Sequence, residues 1–519
     1  MDVAAVGLML AFEGFEPPGW VLDELRRPDV VGVTLFRERN VASASQLRTL
    51  TDRLRRVNPR LLVAVDQEGG QLIGAGSETT PFPGNLALGA TGDVDLARRA
   101  GEVTGRELAA LGVSVNYAPV CDVASRPGNP SLGTRSFGSD PTRVAAFAAA
   151  YVEGLQASGV AATLKHFPGK GFADVDPHHS LPVLRRDLDD LEAVEWPPFR
   201  AGIDAGAWLV MCGHYAVPAL SGTAEVPISR VGDAIEAGIR VRLGFDRVVI
   251  TDALDMGAVA AGVDPVSAAV ETAAAGVDLL LFGPDREFYE RTRRALAEAP
   301  ITGPEGSRRR VGELVDWCGR SESPGLDVVG SSAHRDLADR IAHAAVTLVR
   351  DRTRLLPLRP VPDRSIAAVM PRPRALTPAD TSHLETPRLA SALRRHFPDV
   401  TELTVSHPPT GAEIDAVVAA VEGCSVVVVG TIAADRDPAQ VELVRRLHRC
   451  DVDVVTVALS TPYDLAAYPE VDTHLCTYSL VAPALDALAD VIAGTAPAKG
   501  RLPVPIPGLY PCGHGAEPR

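Results

Sequence analysis

The clearest strand signal in this 519-residue chain is Arg247-Val248-Val249-Ile250-Thr251-Asp252. Four consecutive β-branched residues are typical of a parallel strand that is buried on both faces, and here they lead into a carboxylate. Comparable apolar runs precede and follow it, separated by segments long enough for helices. The predicted strands cover residues 30–36, 61–66, 113–120, 160–165, 207–214, 247–252 and 277–282.

The segments between these runs have helical patterns. In residues 93–111, for example, apolar side chains recur at the spacing of one helix face. Repeated β–α units over about three hundred residues favour either a (β/α)8 barrel or a doubly wound open sheet. The first part of the chain is therefore predicted to be an α/β domain with a parallel sheet.

The pattern changes after about residue 300. Residues 307–318 are predicted to form a helix, and the Gly-, Ser- and Pro-rich residues 319–332 are predicted to be a connector. A second α/β alternation follows in residues 333–519 and suits an open α/β sandwich with an extended C-terminal tail. This part has no GxGxxG motif and no P-loop, so nothing in it predicts nucleotide binding. Its predicted strands cover residues 365–370, 400–405, 424–431, 452–459 and 474–478.

Composition excludes several classes of protein. With 46% apolar and 23% charged residues, the chain has the balance of a soluble globular protein. The net charge of −15 argues against a nucleic-acid partner, which requires a broad basic surface. The seven cysteines show no CxxC spacing, and no apolar run is long enough to span a membrane. We expect a cytoplasmic protein with reduced thiols, no cofactor and no membrane contact.

Polar residues stand at or near the carboxyl ends of five predicted strands. A single such residue is usually a cap or a turn, but five are harder to explain in that way. In a barrel these strand ends converge on one face, where the active sites of barrels lie. The barrel interpretation therefore predicts a polar pocket. The residues are Asp66, Asn116, Lys165 with His166, His214 and Asp252.

The two carboxylates among these residues, Asp66 and Asp252, lie in sequence contexts that are compatible with a catalytic or binding role. Asp252 directly follows a buried strand, where a carboxylate can serve as a nucleophile, a base or a metal ligand. The alternative, a helix N-cap, is equally consistent with this segment alone. Asp66 precedes the pair Gly69-Gly70, which permits a close approach of backbone to ligand but also suits a plain turn.

The segment Lys165-His166-Phe167-Pro168-Gly169-Lys170-Gly171 and the residues after it are unusually dense in charge. Asp176 and His178 are separated only by Pro177, so a turn would bring their side chains together. A carboxylate contact favours the imidazolium, which could then donate a proton near neutral pH. A zinc site built from these side chains with His166 and His179 is the less favoured alternative, because no recognised ligand spacing occurs. A solvated charged loop is also compatible with the spacing.

Together these motifs resemble glycoside hydrolase family 3, and within it the β-N-acetylhexosaminidase branch. The resemblance covers at least residues 5–285, and all of the motifs occur in the family's order. The second domain is similar to the α/β sandwich of two-domain members. The matching segments are residues 65–70, 129–130, 135–141, 165–171 with Asp176 and His178, and 251–256.

The resemblance implies a fold, a reaction and a set of site residues. We predict a (β/α)8 barrel in residues 1–318, a linker in 319–332 and an α/β sandwich in 333–519. The reaction implied is retaining hydrolysis through a covalent intermediate, with Asp252 as nucleophile, His178 as general acid/base and Asp176 as its partner. No metal and no cofactor are implied. The residues that match sugar-holding positions are Asp66, Arg135, Lys165, His166 and, less securely, His214.

Four positions depart from the branch's usual pattern. Lys170 stands where histidine is common, and Pro177 stands where serine is common. Gln71 and Gly74 replace two arginines. If the second arginine normally holds the substrate, this pocket loses one ionic contact, which affects the choice of sugar and aglycone rather than the type of reaction.

The sequence thus predicts an exo-acting β-N-acetylhexosaminidase for a small amino-sugar glycoside, with a role in recycling cell-wall fragments. A phosphorylase using the same dyad and a β-glucosidase are the enzymatic alternatives. The non-enzymatic alternative is a sugar-binding protein that has lost catalysis, which the intact Asp252, Asp176 and His178 argue against.

Overall fold

The structure is a computed structural model, and it describes residues 6–299, 301, 306–320, 323–359 and 365–516. Eight strands from the first part of the chain close into a parallel barrel in the order β1-β10-β9-β8-β7-β6-β3-β2, while β4 and β5 form a separate hairpin. The predicted barrel is confirmed. The strands are β1 (Gly7–Leu10), β2 (Val30–Thr34), β3 (Leu62–Val65), β4 (Gln67–Gly69), β5 (Leu72–Ile73), β6 (Val115–Asn116), β7 (Ala161–Phe167), β8 (Leu209–Cys212), β9 (Val248–Ala253) and β10 (Leu279–Leu281).

The barrel differs from the prediction in two strands. β1 is not among the strands predicted above, because the apolar stretch of residues 3–12 suits a core strand or a core helix equally; the structure shows a strand, most of it buried. β6 has two residues instead of the eight expected, and Pro119, which has no N–H, interrupts the pairing of the residues that follow. The chain beyond β6 still runs beside β7, where Val120 pairs with Lys165.

Helices surround the barrel, and some of them begin at an aspartate that caps the first turn. Asp140 and Asp264 each accept backbone N–H bonds at a helix start and are each followed by proline, which is well suited to the first turn. The helices of this part are α1 (Gly19–Glu24), α2 (Arg37–Asn40), α3 (Ala44–Val57), α4 (Asn85–Thr91), α5 (Val94–Ala110), α6 (Pro141–Ala157), α7 (Leu188–Asp190), α8 (Pro197–Asp204), α9 (Pro218–Ser221), α10 (Gly232–Ile235), α11 (Pro265–Ala274), α12 (Arg286–Glu298) and α13 (Ser307–Cys318).

The second part of the chain folds around a six-stranded sheet in the order β11-β16-β15-β14-β12-β13. All of its strand pairs are parallel except β11 with β16, and β11 was not predicted. The strands are β11 (Thr347–Asp351), β12 (Ile366–Pro371), β13 (Val400–Val405), β14 (Val426–Thr431), β15 (Asp453–Ala458) and β16 (Thr473–Cys476). The helices are α14 (Ser332–Ala345), α15 (Leu389–Leu393), α16 (Gly411–Ala420), α17 (Pro438–His448), α18 (Asp464–Ala467) and α19 (Ala482–Ala493).

This sheet is buried on both faces, as its valine-rich strands require. Along β14, Val427 and Val429 join one apolar core, whereas Val426 and Val428 join the other. The alternation follows from the two-residue period of a strand. The predicted α/β sandwich is therefore confirmed, while the exact bounds 1–318, 319–332 and 333–519 stay a prediction.

Several hydrogen bonds join the sandwich to the barrel, and three of them show where the two parts meet. The hydroxyl of Thr381 accepts the backbone N–H of Ile73 at 3.1 Å, and Arg436 donates to the carbonyl of Asn129 at 2.8 Å. The C-terminal tail crosses both parts: its Arg501 N–H bonds to the barrel carbonyl of Ala90, and Leu502 is fully buried. The described part of the extended C-terminal tail is thus packed against both parts of the chain.

A buried charge network closes the amino-terminal end of the barrel. Asp278, which has no exposed surface, accepts hydrogen bonds from Arg240 at 2.7 Å, Arg310 at 2.7 Å and the backbone N–H of Val249 at 2.8 Å. One carboxylate thereby fixes α13 and two strands of the barrel.

We expect Asp278→Ala to destabilise the protein by about 3–5 kcal/mol, because it removes the buried carboxylate with which both Arg240 and Arg310 pair. Urea denaturation followed by circular dichroism measures the change. Asp23→Ala, which removes an exposed partner of Arg26, is the control and should change stability far less. Equal effects of the two substitutions would contradict the structural role of Asp278.

Candidate active site

A cavity of about 430 Å³ opens at the carboxyl ends of the barrel strands. Six residues predicted from strand ends or motifs face it together, and the second part of the chain supplies part of its wall. The predicted residues that line it are Asp66, Arg135, Lys165, His166, His178 and Asp252. The wall residues from the second part are Pro378, Ala379 and Thr381. The polar pocket that the barrel interpretation predicts is therefore present.

Glu68 lies at the centre of the charged side chains on one side of this cavity. Its carboxylate accepts two bonds from Arg135, Nε to Oε2 at 2.9 Å and Nη2 to Oε1 at 2.8 Å. The ammonium of Lys165 lies 2.6 Å from Oε1 of Glu68 and 2.6 Å from Oδ1 of Asp66. The two cations are thus held at fixed positions by one buried carboxylate.

The protonation states of this cluster follow from its pairing. Burial opposes the charge of Glu68, but Arg135 and Lys165 outweigh it and lower the pKa of Glu68 to about 2. Burial likewise opposes the charge of Lys165, yet the two carboxylates raise its pKa. For Asp66 burial is the largest effect, and the pKa of Asp66 is raised despite the contact with Lys165.

His166 is oriented by a second buried carboxylate, Asp122. The Nδ1 atom of His166 lies 2.8 Å from Asp122 Oδ2, and the other ring nitrogen lies 3.3 Å from Nη2 of Arg135. Burial together with the nearby cations lowers the pKa of His166 well below its usual range, so the ring is neutral. Its proton then belongs on Nδ1, because Nε2 must accept from the guanidinium.

The predicted contact between Asp176 and His178 is confirmed. Nδ1 of His178 lies 2.6 Å from Oδ1 of Asp176, which also accepts the backbone N–H of His178 at 3.0 Å. Burial opposes the charge of Asp176, but these two bonds outweigh it and lower the pKa of Asp176 to about 2. Asp176 is therefore an acceptor that directs Nε2 of His178 away from itself.

The loop that carries this dyad is docked on the loop that follows β9. The carbonyl of His178 accepts the N–H of Gly257 at 3.2 Å, and the carbonyl of Pro177 accepts the N–H of Ala258 at 3.1 Å. A Cβ at position 257 would lie 3.0 Å from the carbonyl oxygens of residues 178 and 179, so glycine allows this close approach. The loop that carries the dyad and the loop that follows Asp252 are in this way held together.

Asp252 lies at the end of β9, half-buried, with Oδ1 accepting the N–H of Ala253 at 2.9 Å. The next helix, α11, begins at Pro265 and is capped by Asp264. The alternative interpretation of Asp252 as a helix N-cap is therefore wrong. Its carboxylate is available to whatever enters the cavity.

Two of the polar strand ends do not line the cavity. Asn116 bonds through its side chain to both backbone groups of Gln67 at 2.9 Å and so fixes the β4–β5 hairpin. His214 is fully buried, and its Nδ1 lies 2.7 Å from the hydroxyl of Ser229. A direct contact of His214 with the sugar stays a prediction.

Three carboxylates of the site were not identified from the sequence. Glu68 stands inside the quoted 65–70 motif but precedes two glycines, which is also the pattern of a turn. Asp122 follows the predicted strand 113–120 by two residues, but the partners that give it a role, His166 and Lys170, lie more than forty residues further along the chain. Glu195 lies in a helical segment distant in the chain, and its Oε1 reaches the hydroxyl of Ser125 at 3.2 Å beside the dyad loop.

The structure shows the roles of the unusual residues at positions 71 and 74. Gln71 accepts the backbone N–H of Thr134 through its side chain and that of Thr381 through its carbonyl, so it joins the barrel to the second part of the chain. Gly74 lines the cavity, and a Cβ at this position would overlap the carbonyl oxygen of Asp66. The backbone here therefore excludes any side chain.

Within residues 6–299, 301, 306–320, 323–359 and 365–516, no three His, Cys, Asp or Glu side chains converge in a way that would hold a metal ion, including those of the dyad loop. Nor is any helix of these residues both long and apolar enough to cross a bilayer.

Known proteins match both the sequence and the architecture. The model of the glycosyl hydrolase family 3 N-terminal domain matches residues 18–305. β-Hexosaminidase A of Pseudoalteromonas piscicida is 30% identical over 93% of this chain and 90% of its own, and a β-hexosaminidase of Xylella fastidiosa is 39% identical over 60% of this chain and 91% of its own. A family 3 β-N-acetylglucosaminidase structure from Paenibacillus sp. superposes with a TM-score of 0.89 at 31% identity, covering 96% of this chain and 97% of that one.

The closed barrel, its charged cavity and the appended sandwich define a two-domain glycoside hydrolase. The family match extends over more than half of the chain, and the sequence and structural relatives cover nearly all of it. The chain belongs to glycoside hydrolase family 3.

Glu195 provides a test of the electrostatics beneath the dyad loop. Burial raises the pKa of Glu195 to about 8, and Asp122 adds to this effect. A carboxyl group whose pKa is raised on folding contributes stability that is present at low pH and is lost as pH rises through that pKa. We expect the isosteric Glu195→Gln to stabilise the protein at pH 8 and to have progressively less effect as the pH falls toward about 4.5.

Urea denaturation of both proteins between pH 5 and 8.5 measures this difference. Glu192→Gln, on the same helical segment but paired with Arg242 at the surface, is the control and should show no such trend. A stability difference that does not change with pH would contradict a neutral, buried Glu195.

Proposed function

We propose that this protein is a retaining exo-β-N-acetylhexosaminidase that hydrolyses terminal β-linked N-acetylglucosamine. The observation that carries the proposal is that Asp252 and the Asp176-oriented His178 face one cavity of about 430 Å³. The names of the relatives, β-hexosaminidase and β-N-acetylglucosaminidase, support the choice of sugar.

In the first step, a carboxylate oxygen of Asp252 attacks the anomeric carbon while the glycosidic bond breaks. His178 donates the proton from Nε2 to the departing oxygen, because its Nδ1 is engaged by Asp176. The imidazole is then neutral, and the sugar is esterified to Asp252. In the second step, His178 accepts a proton from water, whose oxygen attacks the same carbon and releases Asp252.

The paired cluster opposite the dyad would bind the hydroxyl groups of the sugar. Asp66 accepts from hydroxyls, whereas Lys165 and Arg135 donate to them. Because Glu68 already fixes both cations, they need no reorganisation when the substrate binds. Neutral His166, held by Asp122, completes this surface.

The proposal includes the cellular compartment and the biological role of the enzyme. All seven cysteines are free, which supports a reducing compartment such as the cytoplasm. A cytoplasmic enzyme of this specificity suits the recycling of cell-wall fragments.

We expect Asp252→Ala to reduce kcat for an aryl β-N-acetylglucosaminide on the order of 10⁴-fold or more while leaving the thermal unfolding midpoint little changed. Asp204→Asn, an exposed position at the end of α8, is the control and should retain activity. Assays with and without phosphate, analysed for N-acetylglucosamine 1-phosphate, separate hydrolysis from phosphorolysis. Full activity of Asp252→Ala would refute the mechanism, and a phosphate-dependent product would replace hydrolysis with phosphorolysis.

We expect His178→Ala to slow a substrate with a poor leaving group by roughly 10²- to 10⁴-fold and one with a dinitrophenolate leaving group much less, because a good leaving group needs little protonation. Asp176→Asn should show the same selectivity in weaker form. Mass spectrometry of the quenched His178→Ala enzyme should detect a sugar attached at Asp252. Equal slowing of both substrates would count against proton donation by His178.

A further inference from the structure

Lys170 occupies an unusual position in the cavity wall. Only three of the 51 Lys and Arg residues are lysine, and two of these, Lys165 and Lys170, line the cavity. The third, Lys499, is exposed. A chain that uses arginine almost everywhere else has a compact ammonium at two positions of one pocket.

The backbone of Lys170 is fixed from several directions. Its N–H donates to Oδ1 of Asp122 at 2.8 Å, and its carbonyl accepts from the side chain of Asn129 at 2.7 Å. A Cβ at the next residue, Gly171, would overlap the carbonyl oxygen of Val123, so the loop lies directly on the barrel here. The side chain therefore leaves the loop from a fixed point.

The ammonium of Lys170 has no such support. The residue is 2% exposed, yet among the described residues its Nζ takes part in no hydrogen bond and no ion pair. By contrast, Lys165 bonds to two carboxylates and Arg135 to one. A buried ammonium without a partner costs free energy, and in an enzyme such a cost is compatible with a partner that arrives with the substrate.

The surrounding charges indicate what kind of partner this is. Carboxylates outnumber cations around Lys170, so the field there does not favour an anion. Because an ammonium only donates hydrogen bonds, its partner must be an acceptor. Since the surrounding carboxylates disfavour an anion, that acceptor is a neutral oxygen. The charged groups and the histidine that interact electrostatically with Lys170 are Glu68, Asp122, Arg135, His166, Asp176 and Asp252.

We propose that Lys170 is a substrate-binding residue whose ammonium donates to a hydroxyl or acetamido oxygen of the terminal sugar bound beside Asp252. This contact stands in for the arginine that relatives have at the position of Gly74, where no side chain fits. The inference rests on the proposed function, since it requires a glycoside in the cavity.

The titration of Lys170 is consistent with this role. Burial and the positive charge of Arg135 lower the pKa of Lys170 to about 8, although Asp122, Asp252 and Glu68 act in the opposite direction. The charged donor is therefore present at neutral pH and is lost as the pH rises above about 8. KM should rise across the same range.

The test compares Lys170→Met, which keeps the length of the side chain, with wild-type enzyme on aryl β-glycosides of N-acetylglucosamine and glucose, each with two aglycones. We expect kcat/KM for N-acetylglucosamine substrates to fall roughly 10- to 100-fold, mainly through KM and equally for both aglycones. The alkaline rise in KM should disappear. A larger loss for N-acetylglucosamine than for glucose assigns the acetamido oxygen, and equal losses assign a hydroxyl oxygen.

Two further measurements separate binding from a structural role. The thermal unfolding midpoint of Lys170→Met should equal or exceed that of wild type, because the substitution removes an unpartnered buried charge. The control Lys499→Met should match wild type in activity and in stability. Unchanged KM in Lys170→Met, or a loss that depends on the aglycone, would overturn the inference while leaving the proposed function intact; an inactive wild type would instead overturn the proposed function.

If Lys170→Met does not fold, wild-type protein labelled with ¹⁵N-lysine provides the answer. With only three lysines, the side-chain signals can be followed individually by nuclear magnetic resonance. Free N-acetylglucosamine should shift the signal that titrates near pH 8 and leave the Lys499 signal unchanged. An unmoved Lys170 signal at saturating sugar would refute the contact.

Discussion

The cavity depends on one buried carboxylate, Glu68, which holds a guanidinium and an ammonium at fixed positions. Without it, Arg135 and Lys165 would repel each other, and Arg135 would lose both of its bonds to a carboxylate while Lys165 would keep only its contact with Asp66. The strands bring these residues to one edge of the barrel, but pairing turns that proximity into a rigid surface. The same principle operates at Asp122, which orients His166 and the start of the dyad loop.

Much of this architecture was accessible from sequence, because parallel barrel strands are buried on both faces and end at a common rim. The valine-rich β9 and β14 and the polar residue Asp252 show this directly. Glu68 and Asp122 were missed for a physical reason: their role arises from partners far along the chain. A local sequence pattern shows that a carboxylate follows a strand, but it does not show which distant cation will pair with that carboxylate.

The second domain contributes more than its own core. Thr381 lines the cavity and bonds to β5, while Arg436 holds the carbonyl of Asn129, whose side chain in turn holds the backbone of Lys170. A chain of direct hydrogen bonds thus runs from the sandwich to the dyad loop. These contacts are invisible to pattern analysis, since nothing in residues 376–385 is periodic or motif-like.

Position 74 has a consequence for how this pocket can change over evolutionary time. Any side chain introduced there would begin inside the peptide group of Asp66 and would displace one of the carboxylates that faces the sugar. A side chain therefore cannot be added at position 74 without a shift of the hairpin backbone around Asp66. This part of the cavity wall can change only together with the path of the chain, and not through the identity of one side chain alone.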